Sequence, residues 1–166
     1  MGWTIERGYR AGCIGRVTQI HADFYSRHCG FDMTFEADVA RELSDLCVAY
    51  DADRDGLWLA IHNGSVEGSV AIDGSEAQAE GARLRWFITS EAIRGQGVGA
   101  ELLAAALRFC DERYARTYLW TFDELPAALH LYAKAGFRLE HTERAVHWGR
   151  EINAQRFTRD RPDKGV

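Results

Sequence analysis

The sequence predicts a layered α/β domain, of the α+β kind in its strand connections, with helices packed on a central sheet. Three observations carry this. Strand and helix periodicities follow one another as β, α, α, three strands and then αβαββ, with no internal repeat or low-complexity tract. The dipeptide Asn63-Gly64, set between two apolar runs, marks a tight antiparallel hairpin. A glycine-rich segment ending at Gly99 joins one strand directly to a long helix.

Thr4 to Tyr9 is a short β-forming run, closed by Arg10-Ala11-Gly12. From Ile14, apolar residues recur at Val17, Ile20 and Phe24, then at Phe35, Val39, Leu43, Leu46 and Tyr50, which predicts two amphipathic helices broken near Gly30. Asp51 to Gly56 is an acidic turn, and Leu57 to Ile61 suits a strand buried on both faces. Past the hairpin, Val66, Gly68, Val70 and Ile72 alternate with Glu67, Ser69, Ala71 and Asp73, which predicts a strand with one wetter face. Gly74 to Gly81 reads as a loop. Leu84, Trp86 and Ile88 then alternate with Arg83, Arg85 and Phe87 in a fourth strand, followed by helical spacing at Val98, Leu102, Ala105 and Phe109. Thr117 to Phe122 is a strand and Leu125 to Ala135 a helix. Extended structure follows from Phe137 through His147 and again from Glu151 to Phe157. Trp120 is expected in the core, as strand aromatics usually are. Residues 1–158 form one domain on this reading, and 159–166 a disordered charged tail.

Composition narrows the function classes. Hydrophobic residues at 46% and charged residues at 27% are ordinary for a globular chain. A net charge of -5 with pI near 5.7 gives no general attraction to nucleic acid or anionic lipid, so an anionic ligand must be captured by local geometry. No stretch of 18 apolar residues occurs, and the first ten residues lack the apolar core of a signal peptide, so a cytoplasmic protein without membrane contact is expected. Cys13, Cys29, Cys47 and Cys110 form no CxxC pair and have no His at ligand spacing, and His28, His62, His130 and His141 show no metal spacing either. Reduced thiols and no metal are expected.

The glycine segment carries the chemistry. Gly95, Gly97 and Gly99 permit positive φ and close approach of a ligand, leaving bare amides outward, and a helix starting near Gly97 adds unpaired N–H groups and partial positive charge. Such a turn suits a phosphate, with Arg94 as a forked cation beside it. A Walker A loop would need Lys-Ser/Thr where Ala100-Glu101 stands, which argues against nucleoside triphosphates. Gly95, Gly97 and Ala100 do satisfy the dinucleotide pattern G-x-G-x-x-G/A, with Asp123 as a loosely placed ribose ligand, yet the segment follows more than half the chain and an antiparallel hairpin.

Arg94-x-x-Gly97-x-Gly99 after a strand resembles the pyrophosphate motif of the GNAT acyltransferase superfamily. About thirty residues on, Leu131-Tyr132-Ala133-Lys134-Ala135-Gly136-Phe137 resembles that superfamily's second motif. Further residues resemble the acetyltransferase half of bacterial MarR-GNAT fusion proteins: Tyr9 to Gly12, His21-Ala22-x-x-Tyr25, Gly30-Phe31-Asp32, Phe35-Glu36, Leu119-Trp120-Thr121, and Trp148-Gly149 with Gln155. Those relatives usually carry Asn where this chain has Phe122. No winged-helix sequence lies within the 166 residues, and no nucleic-acid partner is expected.

The resemblance implies a mixed central sheet of about six to seven strands with helices on both faces, and acetyl-CoA as cosubstrate. It implies that the fourth strand splays from the fifth at a bulge, so that main-chain groups of Phe87, Ile88 and Thr89 meet the thioester and pantetheine arm. It implies that Arg94, Gly95, Gln96, Gly97, Val98, Gly99 and Ala100 hold the pyrophosphate and that Tyr132 protonates the leaving thiolate; Lys134 near the adenosine 3'-phosphate is equally explained as a solvated helix lysine. His21, Tyr25 and Phe122 lie toward the implied acceptor pocket, His21 and Tyr25 one helical turn apart. A primary amine of a small molecule or a protein is the expected acceptor. A lysine-like amine is about one part in a thousand unprotonated at neutral pH, so a base or a water chain must take a proton. Glu36, His21, Glu67 and His147 are candidates, and Glu36 is explained equally well by the dipole of the helix it begins. A non-catalytic acyl-CoA-binding module and a dinucleotide enzyme stay open as alternatives, and a homodimer is compatible with an exposed final strand.

Overall fold

The computed structural model describes residues 2–165. Seven strands form one sheet in the order β1-β2-β3-β4-β5-β7-β6, with β1 Thr4–Arg7, β2 Gly56–His62, β3 Ser65–Asp73, β4 Ala82–Thr89, β5 Arg116–Phe122, β6 Arg138–His147 and β7 Arg150–Asp160. All neighbours are antiparallel except β4 and β5, which a helical crossover makes parallel. The helices are α1 Cys13–Cys29, α2 Met33–Val48, a single turn α3 Ala77–Glu80 inside the expected loop, α4 Val98–Arg113 and α5 Pro126–Lys134.

The two sheet faces carry separate cores. Val17, Leu43 and Leu46 of α1 and α2 pack with Leu57, Leu59 and Ile61, while Leu102, Leu103 and Leu107 of α4 pack with Val70, Ile72 and Leu84 on the other face. The chain turns between α1 and α2 where Gly30 takes φ 68°, a left-handed C-cap, and Asp32 then caps α2 by accepting a hydrogen bond from the Thr34 amide at 2.9 Å.

Several expectations change. β3 has no wet face: Glu67, Ser69 and Ala71 are all buried, because α1 lies over them and Arg16 meets the Glu67 carboxylate at 2.8 Å. The first strand stops at Arg7, where Gly8 turns the chain at φ 99°. The last strand continues past 158 through Asp160, so residues 159–160 are not part of a disordered tail; Arg159 is buried, bound to both oxygens of Asp111 at 2.6 and 3.0 Å and to the Ala135 carbonyl at 2.9 Å. Trp120 is not core. It is 36% exposed and packs edge-on against His141 of the outer strand.

Candidate active site

The two parallel strands separate almost at once. β4 and β5 pair only at Ala82 with Thr117 and Arg83 with Tyr118, and then diverge. The cause is visible in β4. Ala71 pairs with Arg85 and Ser69 with Ile88, so Trp86 and Phe87 together face the single residue Val70 as a bulge. Trp86 takes φ 47°, a left-handed conformation that costs a non-glycine residue about 1–3 kcal/mol. The Ser69 hydroxyl holds the strain in place by donating to the Trp86 carbonyl at 2.6 Å. The bulge also overturns the simple alternation read from sequence. Trp86 joins the core under α2, and Phe87 turns to the opposite side, its ring centroid 5.8 Å from that of Tyr132.

Beside the open end of β4 lies the glycine turn. Its root is fixed: the Ser90 amide donates to the Glu67 carbonyl at 2.7 Å, and Ile93 is fully buried. Gly95 and Gly97 take φ 79° and 82°, and a Cβ at either would meet nothing within 4 Å, so the turn is left-handed and its outer surface open. Gly97 is the N-cap of α4 and supplies no side chain to the first-turn amides, so these face an approaching anion unblocked. Gly99 differs from the expectation of positive φ; it is helical, and a Cβ there would make only ordinary contact, 3.5 Å from the Phe87 and Leu131 side chains. Val98 is buried, whereas Gln96 and Ala100 are exposed. Arg94 is tied to the same loop, donating to the Thr89 carbonyl at 3.0 Å and lying over the Phe24 ring at 5.1 Å.

Between the splayed strands and the ends of α1 and α2 lies a cleft of about 420 Å³, lined in part by His21, Tyr25, Phe87, Phe122 and Tyr132. Four sequence-chosen residues thus meet the bulge in one space. Tyr132 is almost buried, and desolvation followed by the field of Tyr25 pushes its phenol well above the usual tyrosine range, so it is a protonated donor at any neutral pH. His21 is buried too. Its Nδ1–H donates to the Val17 carbonyl at 2.8 Å, leaving Nε2 as the ring's lone-pair atom, and desolvation outweighs that bond and lowers its pKa to about 4. The imidazole is therefore neutral at neutral pH and a feeble base. Phe122 packs 5.3 Å from Phe31 and 6.2 Å from Tyr25.

Glu36 does not belong to this space. It is exposed on the first turn of α2, next to the Asp32 cap, and does not line the cleft. The carboxylates of α2 that do line it are Asp38 and Glu42. Helical geometry explains the difference: Phe35, Val39 and Leu43 define the inner face, and Asp38 and Glu42 each sit three residues after one of them, whereas Glu36 is rotated about 100° from Phe35. Both are engaged. Asp38 accepts from the Trp148 indole at 2.9 Å and from Arg41 at 2.8 Å, which together hold its carboxyl below the usual range, and Glu42 is bound by Arg85. Glu67 is likewise taken, by Arg16 and by the Ser90 hydroxyl. Of the other candidates, His147 lines the cleft, and Lys134 is exposed on the last turn of α5. Among the described residues no group of three His, Cys, Asp or Glu is placed to hold a metal ion, and no helix is long and apolar enough to cross a membrane.

The family model of the acetyltransferase (GNAT) family matches residues 14–137, three-quarters of the chain. The chain belongs to the GNAT acetyltransferase family. It is thus an acyltransferase by family, and its fold is shared by solved structures far diverged in sequence. An acetyltransferase of the GNAT family from Staphylococcus aureus Mu50 is 17% identical, with 97% of this chain and 100% of that one covered and a TM-score of 0.74. YncA of Salmonella typhimurium, seen with its cofactor acetyl-CoA, is 14% identical over 100% and 98% of the two chains, TM-score 0.74. Ribosomal-protein-alanine N-acetyltransferase from Brucella melitensis is 17% identical over 95% and 99%, TM-score 0.73.

Proposed function

We propose that this GNAT chain transfers the acetyl group of acetyl-CoA to a primary amine of a small molecule or a protein, by direct attack in a ternary complex. The observation that carries the reading is the strand splay opening at the Trp86–Phe87 bulge, between the side-chain-free N-terminus of α4 and the protonated phenol of Tyr132. In this reading Arg94 to Ala100 receive the pyrophosphate, main-chain groups of Phe87, Ile88 and Thr89 orient the pantetheine arm and polarise the thioester carbonyl, and Lys134 lies toward the 3'-phosphate. The amine lone pair forms the C–N bond, the C–S bond breaks, and Tyr132 gives its proton to the departing sulfur. The amine loses its proton to water entering the cleft, directly or through His147 on its wall, and that water returns a proton to the Tyr132 phenolate, because the α2 carboxylates lining the cleft are occupied by Arg41, Arg85 and the Trp148 indole and His21 is too weak a base.

Gly97→Val tests the donor site. The new side chain must take a left-handed conformation, costing about 1–2 kcal/mol, and would stand over the first-turn amides. Calorimetry is expected to show acetyl-CoA affinity at least tenfold weaker, and unaltered affinity would remove the assigned pyrophosphate site. Glu36→Ala is expected to change kcat less than about twofold in a thiol-release assay, since the residue faces away from the cleft; a large loss would reinstate it as the base.

Within the family, the residues from Tyr9 to Gly12 and around His21, Trp148 and Gln155 favour kinship with the acetyltransferase half of MarR-GNAT fusions. The acidic charge of the chain argues against nucleic-acid binding. Acetyl-CoA that binds without being consumed across a broad amine panel would instead identify a non-catalytic acyl-CoA module, a role that Phe122 and the engaged carboxylates Asp38 and Glu42 favour.

A further inference from the structure

The cleft holds a guanidinium that has no hydrogen-bond or ion-pair partner among the described residues. Arg83 stands on β4 at the last position paired with β5, half-buried and lining the cleft, yet among the described residues it makes neither an ion pair nor a hydrogen bond. Its Nε is buried without any partner. Most neighbouring charges are bound elsewhere: Arg85 to Glu42, Arg156 to Glu80 and Glu140, and Asp38 to Arg41 and the Trp148 indole, while Asp73, across the strand pair, takes its hydrogen bonds from Ser75 and reaches Arg83 only through its field. Burial makes the cation costly and holds its pKa below the usual arginine value, with the fields of Tyr118 and Asp73 opposing this and that of Arg156 adding to it. A buried cation is normally paired, and one left without an anion in a substrate cleft has room for an anion brought by the substrate.

One side of the cleft is an aromatic wall. Tyr25, Phe31, Phe35, Phe122 and Trp148 are mutually in contact, with centroid separations such as 4.7 Å for Tyr25–Phe35, 4.9 Å for Phe31–Trp148 and 5.3 Å for Phe31–Phe122. All five line the cleft, with Phe122 extending the ring wall from the end of β5. A volume of about 420 Å³ falls within the range of small-molecule sites.

From these observations we infer that the acceptor is an amino acid, or a compound of that class, whose amine is accompanied by a carboxylate for Arg83 and an aromatic or bulky apolar side chain for the ring wall. The inference rests on the acetyl-transfer reading and deepens it by naming the substrate class. Arg83 sits three residues before the bulge, about 10 Å along the strand, and its long side chain spans part of that distance, so one molecule can meet the guanidinium and the thioester site together.

The test is a thiol-release assay with acetyl-CoA and three matched acceptors: phenylalanine, its methyl ester, and phenethylamine. Phenylalanine is expected to give a kcat/KM about ten- to a hundredfold above the other two, the factor that a charge-assisted contact supplies, although both competitors keep the ring and the ester has the less basic, more readily deprotonated amine. Arg83→Met is expected to raise KM for phenylalanine tenfold or more, with a far smaller effect on phenethylamine. Calorimetry with phenylalanine and the CoA-bound protein reads acceptor binding without chemistry, and acetyl-CoA affinity of Arg83→Met reports that the variant is folded. Equal use of all three acceptors, an equal loss for all three in Arg83→Met, or transfer confined to amines without an acid would overturn the inference while leaving acetyl transfer standing. No association with acetyl-CoA at all would instead remove the reading beneath it.

Discussion

Tyr132→Phe is expected to lower kcat for acetyl transfer about a hundredfold or more, with the dissociation constant of acetyl-CoA changed less than about threefold, when turnover is followed by thiol release and binding by calorimetry. The size follows from what the hydroxyl does. A positioned general acid contributes typically 10²–10⁴-fold, and the variant removes one oxygen from a ring that otherwise keeps its packing on Phe87 and Phe137, at centroid distances of 5.8 Å. Burial holds the phenol protonated well above neutral pH, and the same dry surroundings make the departing thiolate more basic, so the proton passes between two groups that desolvation moves in the same direction. No side-chain hydrogen bond contributes to the phenol's shift, which leaves its proton for the sulfur rather than for the protein. An unchanged kcat would show that solvent protonates the thiolate and that Tyr132 is a packing residue of α5.

What could be seen in the sequence follows from how local each signal is. The glycine turn was legible because Gly95 and Gly97 state a backbone requirement at their own positions, and the positive φ of both is that requirement met. The helical faces were legible because Val17, Leu43 and Leu102 repeat at a period that only one element satisfies. The bulge was not legible from periodicity, which puts Trp86 beside Leu84; the resemblance implied one near Phe87, but the extra residue that sends Trp86 to the opposite core is forced by the partner strand and by the Ser69 hydroxyl, seventeen residues earlier. The sequence reading names Glu36 among the possible bases and does not name Asp38, although the Phe35–Val39–Leu43 face already turns Asp38 inward. Arg83 could not have been singled out, because its distinction is the absence of a partner, and absence is a property of the folded neighbourhood.

The second large effect is on stability. The folded protein is expected to lose about 2 kcal/mol of unfolding free energy between pH 7 and pH 5 through His21 alone, read as urea denaturation of the wild type against His21→Gln. The sign follows from the direction of the shift. An unfolded histidine titrates near 6.5, whereas burial lowers the folded value to about 4, so below pH 6.5 the unfolded chain binds a proton that the folded chain refuses. Stability is therefore complete above pH 6.5 and is lost as pH falls toward 4, with no further loss from this group below it. The Val17 carbonyl cannot prevent this, because it accepts the Nδ1 proton of the neutral ring already and offers nothing to a protonated Nε2. Asp38 and Asp55, whose carboxyls are held low, act in the same sense but lower in pH, near and below the ordinary carboxylate range, so the interval from 7 to 5 isolates the imidazole. Since His21 also lines the acceptor cleft beside Tyr25, the ring that makes the fold acid-sensitive is one the substrate must pass, and a bound acceptor contacting Nε2 is expected to raise the urea midpoint at pH 7 more than at pH 5. A His21→Gln variant with the same pH slope as the wild type would show that His21 is hydrated in solution and that the acid sensitivity originates elsewhere.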